Sequence, residues 1–194
     1  KHEEEEFCTK IDDIIDQYDV VITVDYGHGL LTPKIINQIE NKSRYLALNT
    51  QMNSFNIGHH TISKYSDVNY VCVHEGELRN DYRDHNNNIE NLTKSLSKRI
   101  NAEVIVITKG NEGSLVYDNN DFINCPAFAD KVVDRIGAGD TLLAITSLCF
   151  AVGMPKDLTL LIGNLAAAEM VASVGTGMKL SKINILKSIE ALLK

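Results

Sequence analysis

The sequence predicts an α/β fold with a mainly parallel sheet, and three observations carry that prediction. Near-continuous apolar strands alternate with amphipathic helical stretches up to position 108. One pair of short strands flanking a three-residue turn then interrupts the alternation as a hairpin. Three helical stretches finish the chain. With 194 residues, 44% of them hydrophobic and 23% charged, the sequence is long enough to bury a real core and is read as one domain spanning 1–194.

Each element follows from its local pattern. In "FCTKIDDIIDQY", Phe7, Ile11, Ile14, Ile15 and Tyr18 recur at helical intervals, behind an acidic run, Glu3 to Glu6, read as a solvated helix start. "VVITV" (20 to 24) is a short buried strand. Thr32 is an N-cap and Pro33 a first helical residue, with Ile35, Ile36 and Ile39 on one face. "YLALN" (45 to 49) returns as a strand. The polar stretch 50 to 67 lacks a sustained period and predicts irregular backbone with at most one helical turn.

"VNYVCV" (68 to 73) is strand-like, and "EGELRNDYRD" opens a short helix. In "IENLTKSLSKRI" (89 to 100), Ile89, Leu92, Leu96 and Ile100 share a side, and "EVIVIT" (103 to 108) is β-branched and buried. "SLVYD" (114 to 118) and "FINCP" (122 to 126) flank "NND" as the hairpin. The closing helices are 139 to 152, 157 to 173 and 181 to 193. Ser181 caps the last, and Ile183, Leu186, Ile189 and Leu193 mark its buried stripe.

Charge and cysteine usage exclude several classes. A net charge of -7 argues against binding nucleic acid or an anionic membrane through broad electrostatics, so any phosphate must be met locally. Cys8, Cys72, Cys125 and Cys149 have neither zinc-finger spacing nor a disulfide framework, and read as reduced, mostly buried thiols of a cytoplasmic protein. No apolar run reaches the ~18 to 20 residues of a membrane span. The acidic opening "KHEEEEF" starts on Lys1 rather than Met and is read as the start of a piece of a longer polypeptide.

"VVDRIGAGDTLLA" (132 to 144) is the most informative stretch. A helix begins with backbone N–H groups that lack intrahelical partners, and its peptide dipoles place partial positive charge at that end. Glycines let those groups turn inward and let a ligand come close, so Gly137, Ala138 and Gly139 form a small anion cradle. Asp140 would be repelled by a bound phosphate unless a substrate hydroxyl lies between them. In that arrangement the carboxylate accepts the hydroxyl proton as the oxygen attacks, which is phosphoryl-transfer chemistry. A tight strand-to-helix turn with an ordinary capping Asp is the competing reading. The stretch is neither a P-loop nor a dinucleotide fingerprint, since it lacks the lysine with its following Ser or Thr and the third glycine.

With its flanks, "VVDRIGAGDTLLA" resembles the C-terminal signature of the ribokinase-like, or PfkB, carbohydrate kinase family. "VNYVCVHEGEL" resembles the Asn-x-x-Glu segment that handles magnesium and phosphates. "VIVITKGNEGSLVY" resembles the nucleotide loop, and "GNLAAAEMVASVGTG" the helix walling the adenine side. "VDYGHGLL", "LNTQ" and "SKY" look closest to the heptose-kinase branch and to kinase-like domains fused to a nucleotidyltransferase.

The resemblance implies a three-layer α/β/α domain, without the N-terminal lid part, that phosphorylates a sugar or sugar-phosphate hydroxyl with ATP and Mg2+. It implies Asp140 as general base and 137 to 139 as anion hole. Thr108, Gly110 and Gly113 would line the nucleotide loop, with Asn164 near adenine, Asn49 near the phosphates and Glu77 in the metal motif. Lid strands form the dimer contact in such kinases, so a homodimer is among the assemblies it allows. His74 stands where the family motif has Asn; it can still hold a water, yet it mimics an amide poorly. That departure and the missing lid leave a second reading open: a catalytically degenerate kinase-like domain serving as a nucleotide-binding or assembly module.

Other residues carry weaker signals. His59 and His60 read as solvated loop positions rather than metal ligands. Asp25 and His28 follow the first strand, where ligands of α/β sheets gather, and a substrate or phosphate contact stays open for both. Lys109 could reach a phosphate or be merely solvated. "GTG" at 175 to 177 reads as a helix end. Asn164, inside an apolar helix, needs a partner, protein or nucleotide. Cys149 and Met170 are assigned to the core.

Overall fold

The computed structural model describes residues 2–53, 62–129, 132–172 and 180–192. They divide into two compact units, Lys1–Ile107 with Tyr117–Asp121, and Thr108–Val116 with Phe122–Lys194. Among the described residues six strands form one sheet in chain order, and the first three pair in parallel.

The first unit holds α1 (His2–Ile14), β1 (Val21–Asp25), α2 (Pro33–Lys42), β2 (Leu46–Thr50), β3 (Tyr70–His74), α3 (Glu75–Tyr82), α4 (Ile89–Arg99) and most of β4 (Val104–Thr108). The stretch 50 to 67 gives a single 3-10 turn, Ile62–Lys64, among its described residues. The Thr32 hydroxyl accepts from the Ile35 amide and donates to Glu4, so one side chain caps α2 and ties α1 to it. Pro33 follows at the first helical position, where its missing N–H costs nothing. Ile35, Ile36 and Ile39 are buried as their spacing predicts. β2 and β3 are covered on both faces, which is why their apolar runs are continuous.

β1 differs from expectation. It lies at the end of the sheet order, and Ile22 stays 38% exposed rather than buried. Periodicity reports which residues are apolar; it does not report whether a neighbour covers them.

The second unit holds β5 (Ser114–Tyr117) up to Val116, β6 (Phe122–Cys125), α5 (Ala138–Ala151), α6 (Lys156–Val171) and α7 (Lys182–Leu192). Four residues join β5 to β6, too few for a crossover, so the pair is the expected hairpin. The Asp118 carboxylate accepts from the Asn120 and Asp121 amides, and Asn119 takes a left-handed φ of 68°.

α5 and α6 pack tightly at Gly163. A Cβ there would lie 2.5 Å from Thr146 Cγ2, and Thr146 is itself held by its hydroxyl bond to the Leu142 carbonyl at 2.6 Å. Gly163→Ala gains about 1 kcal/mol of helix propensity but loses about 1 to 3 kcal/mol to overpacking. We expect a net loss in urea unfolding, with Thr146→Ser restoring it in the double variant. Additive effects in that cycle would exclude the contact as the cause.

Three expectations are corrected. α7 buries none of its described residues, with Ile183 65% and Leu186 49% exposed. Its Ser181 cap does accept from the Asn184 amide, and Asn184 in turn donates to Glu169 of α6. Cys149 and Met170 are half-buried rather than core. Cys8, Cys72 and Cys125 are buried thiols outside any disulfide among the described residues.

Candidate active site

The second unit presents the helix mouth. Gly137 is the N-cap of α5 and has φ 82°, a left-handed conformation that glycine adopts without strain. Gly137 supplies no side-chain cap, and the first intrahelical bond runs from the Thr141 amide to the Gly137 carbonyl. The amides of Ala138 and Gly139 therefore lie in the turn that helix geometry leaves without internal acceptors. Among the described residues, a Cβ placed on Gly139 would meet no atom within 4 Å beyond its chain neighbours and own helix. Asp140 follows in the same turn and is exposed. The approach to this turn is anchored, since the Val133 and Asp134 amides donate to the Val171 carbonyl at the end of α6. The Asp134 carboxylate then accepts from the Ile136 amide.

The same unit holds the loop after β4. Thr108 ends the strand, and the Lys109 amide donates to the Gly113 carbonyl at 2.8 Å, closing a turn over Gly110–Glu112. Gly110 and Gly113 have φ of 61° and 90°. Lys109 Nζ donates to Asn124 Oδ1 at 3.3 Å. Asn164 is 6% exposed, and its amide group donates to Ser114 Oγ at 2.6 Å and to the Leu160 carbonyl at 2.8 Å. Both donor hydrogens of that side chain are used inside the unit.

The first unit brings Asp25, Asn49 and His74 to the carboxyl ends of three parallel strands. Asn49 donates to the Cys72 carbonyl at 2.8 Å, and among the described residues its buried Oδ1 has no partner. His74 Nδ1 accepts from the Gly76 amide at 3.0 Å, and the Glu77 carboxylate accepts from the His74 amide at 2.7 Å and the Met52 amide at 3.3 Å. The pair forms a capping box on α3. The ring nitrogen does here what an Asn oxygen does at an N-cap, provided that Nδ1 is unprotonated.

Asp25 is the electrostatic centre of this edge. Only 3% exposed, its carboxylate accepts from Tyr65 Oη at 2.7 Å, Lys64 Nζ at 2.5 Å and the Gly27 amide at 2.8 Å. Burial pushes this acid up, yet the bonds from Lys64, Tyr65 and Gly27 outweigh it and hold the carboxyl below its ordinary 3.8. Burial and the adjacent Asp25 carboxylate push the Tyr65 hydroxyl strongly upward, so Tyr65 stays a donor. Because Asp25 titrates lower when folded than when unfolded, its stabilisation is full above 3.8 and is lost as pH falls through the lower folded value. We expect Asp25→Asn to cost about 2 to 4 kcal/mol at pH 7, as when one partner of a buried pair is removed. That difference should shrink below pH 3.8 in urea midpoints measured across pH.

His28 is exposed, with Nε2 3.4 Å from Asn53 Nδ2 and its ring 6.3 Å from that of Tyr26. Lys64, Tyr65, Ser114 and Asn53 were not singled out by the sequence reading. The signal for the first two was "SKY", a lysine and an aromatic closing a polar stretch. His59, His60 and 175 to 177 lie outside the described residues. Among the described residues, no group of three or more His, Cys, Asp and Glu is arranged to hold a metal ion. None of their helices is long and apolar enough to cross a membrane.

Parallel strands β1 to β3 thus precede a glycine turn and an acid at the start of α5. The model of the pfkB family carbohydrate kinases matches residues 30–183, and the chain belongs to that family. Among curated proteins it is similar to the bifunctional protein HldE of Campylobacter fetus subsp. fetus, 30% identical over 182 residues covering 89% of this chain and 37% of that protein. The HldE of Syntrophotalea carbinolica is 26% identical over 185 residues, covering 91% and 36%. The chain thus spans little more than a third of these relatives.

Among solved structures it is similar to phosphofructokinase-2 from Escherichia coli in complex with potassium. The TM-score there is 0.81 at 14% identity, covering 100% of this chain and 63% of that one. Arabidopsis thaliana ribokinase complexed with ribose and ATP gives a TM-score of 0.77 at 17% identity, covering 90% and 57%. The fold is accordingly ribokinase-like, three-layer α/β/α.

Proposed function

We propose that the polypeptide containing this chain phosphorylates a hydroxyl of a sugar or sugar phosphate, of the heptose type, with the chain as the C-terminal catalytic portion of a PfkB-like kinase. The observation that supports this most is the helix mouth at 137 to 140, where Gly137 brings no side-chain cap and, among the described residues, nothing beyond its chain neighbours and own helix lies within 4 Å of a Cβ on Gly139, with a carboxylate one residue on. ATP supplies the phosphoryl group when bound. The amides of Ala138 and Gly139 donate to the oxygens of the group in transit, where developing charge is best met by fixed dipoles. The Asp140 carboxylate takes the proton from the substrate hydroxyl as that oxygen bonds to phosphorus and the bond to departing ADP breaks.

The donor set suits Mg2+ carried in with the nucleotide. That ion is usually held by phosphates, waters and one or two carboxylates rather than by a protein cage. Glu77 is the carboxylate for this, acting through water, because two lone pairs of its four are taken by the His74 and Met52 amides. His74 supports it by fixing the start of α3. Thr108, Gly110 and Gly113 shape the nucleotide loop, Asn49 offers its amide group near the phosphates, and Asn164 stiffens the adenine side through Ser114. A cytoplasmic location and a nucleotidyltransferase domain in the same polypeptide belong to this reading.

A second reading, a degenerate kinase-like module for nucleotide binding or assembly, is favoured by the internal engagement of His74, Glu77 and Asn164. Assay of the natural polypeptide with ATP, Mg2+ and a panel of sugar phosphates, heptose phosphates among them, separates the two. Turnover supports the kinase. Nucleotide binding without turnover on any sugar supports the module.

A further inference from the structure

We propose that Arg135 binds the γ-phosphoryl group of ATP through its guanidinium. The assignment rests on reading the start of α5 as the phosphate site, and it adds a residue to that site. Arg135 is the only arginine of the second unit and the only Lys or Arg between Val132 and Pro155. It is exposed. Arg44, Arg79 and Arg99 each pair with a carboxylate, whereas the Arg135 side chain makes no hydrogen bond or ion pair among the described residues. Its five donors are therefore available to a ligand.

The backbone that carries this cation is held on both sides. Before it, the Val133 and Asp134 amides donate to the Val171 carbonyl at 2.7 and 3.2 Å. Across it, the Asp134 carboxylate accepts from the Ile136 amide at 3.0 Å. After it, Gly137 turns the chain with φ 82° into a helix whose next amides lack internal acceptors. The Cα atoms of Arg135 and Gly137 are at most about 7 Å apart, the span of two residues. An anion at the Ala138 and Gly139 amides is thus within reach of the longest cationic side chain.

The charge balance of the helix mouth calls for such a group. Backbone amides supply only partial positive charge, and Asp140 places a full negative charge in the same turn. A guanidinium donates two parallel N–H bonds to two oxygens of one phosphoryl group, which an ammonium does not match. The γ group is the one concerned, because Arg135 precedes and Asp140 follows the same two amides, and Asp140 serves the hydroxyl that attacks that phosphorus. During transfer the hydroxyl proton passes to Asp140, the phosphoryl group to the hydroxyl oxygen, and the electron pair of the broken bond to ADP. The guanidinium stays on the non-bridging oxygens and exchanges no proton.

The test is calorimetric titration of ATP and of ADP, each with Mg2+, into the natural polypeptide and its Arg135→Gln and Arg135→Lys variants. Arg135→Gln should weaken ATP about tenfold or more while leaving ADP within about twofold, because only ATP carries the group that the guanidinium holds. Its melting temperature should not change, since the side chain has no partner among the described residues. Arg135→Lys keeps the charge without the fork and should fall between. Equal weakening of both nucleotides, or no weakening of either, overturns the proposal and leaves the kinase reading standing. So does a higher KM for a sugar phosphate at unchanged ATP affinity, which would put the guanidinium on the acceptor's phosphate instead. A parent that binds no ATP overturns both. Loss of the ATP preference in a parent that turns over no sugar supports the Arg135 contact and contradicts the kinase reading.

Discussion

Asp140→Asn should lower kcat about 10²- to 10⁴-fold while leaving the affinity for ATP within about twofold, as removal of a general base does. The amide keeps the size of the carboxylate but cannot take the hydroxyl proton. Loss of negative charge in the first turn of α5 costs about 0.3 to 1 kcal/mol through the helix dipole, too little to unfold the protein. Single-turnover kinetics beside an ATP titration separates the two quantities. Near-native turnover would remove Asp140 from the chemistry.

Gly113→Ala should be the most destabilising single-methyl change in the second unit. A Cβ at position 113 would lie 2.0 Å from the Cys125 carbonyl oxygen and 2.6 Å from the Pro126 carbonyl carbon. Both are backbone atoms at the end of β6, so no side chain can swing aside. The φ of 90° adds strain for any residue with a Cβ. Strain of about 1 to 3 kcal/mol and overpacking of about 1 to 3 kcal/mol together approach the whole stability of a small unit. Gly110→Ala isolates the strain, because position 110 also has a left-handed φ, 61°, but among the described residues no atom within 4 Å of its Cβ beyond its chain neighbours. Thermal melting should show a small drop for Gly110→Ala and a large one for Gly113→Ala. Equal drops would mean that β6 does not press on the loop.

What could be read from the sequence was local. β2, β3 and β4 were legible because their short apolar runs are buried over most of their length, and α2 because Thr32, Pro33 and three isoleucines sit within eight positions. The helix mouth was legible for the same reason, its glycines and acid being contiguous. The Asp25 cluster was not, since Lys64 and Tyr65 lie 39 and 40 positions away and meet it only once β1 is in place. The bond from Asn164 to Ser114 spans 50 positions. β1 and α7 show the limit of periodicity, as both carry the apolar pattern and both leave part of it uncovered.

Titration of ATP into the natural polypeptide and into its Gly139→Val variant examines the helix mouth most directly. Among the described residues, nothing beyond its chain neighbours and own helix lies within 4 Å of a Cβ at position 139, so the melting temperature should not change. The valine side chain would nevertheless stand where a phosphate oxygen meets the Ala138 and Gly139 amides. Affinity weakened about tenfold or more, the loss of one or two charge-assisted hydrogen bonds, is the predicted result. Unchanged affinity at unchanged stability would show that the phosphates do not lie at the start of α5.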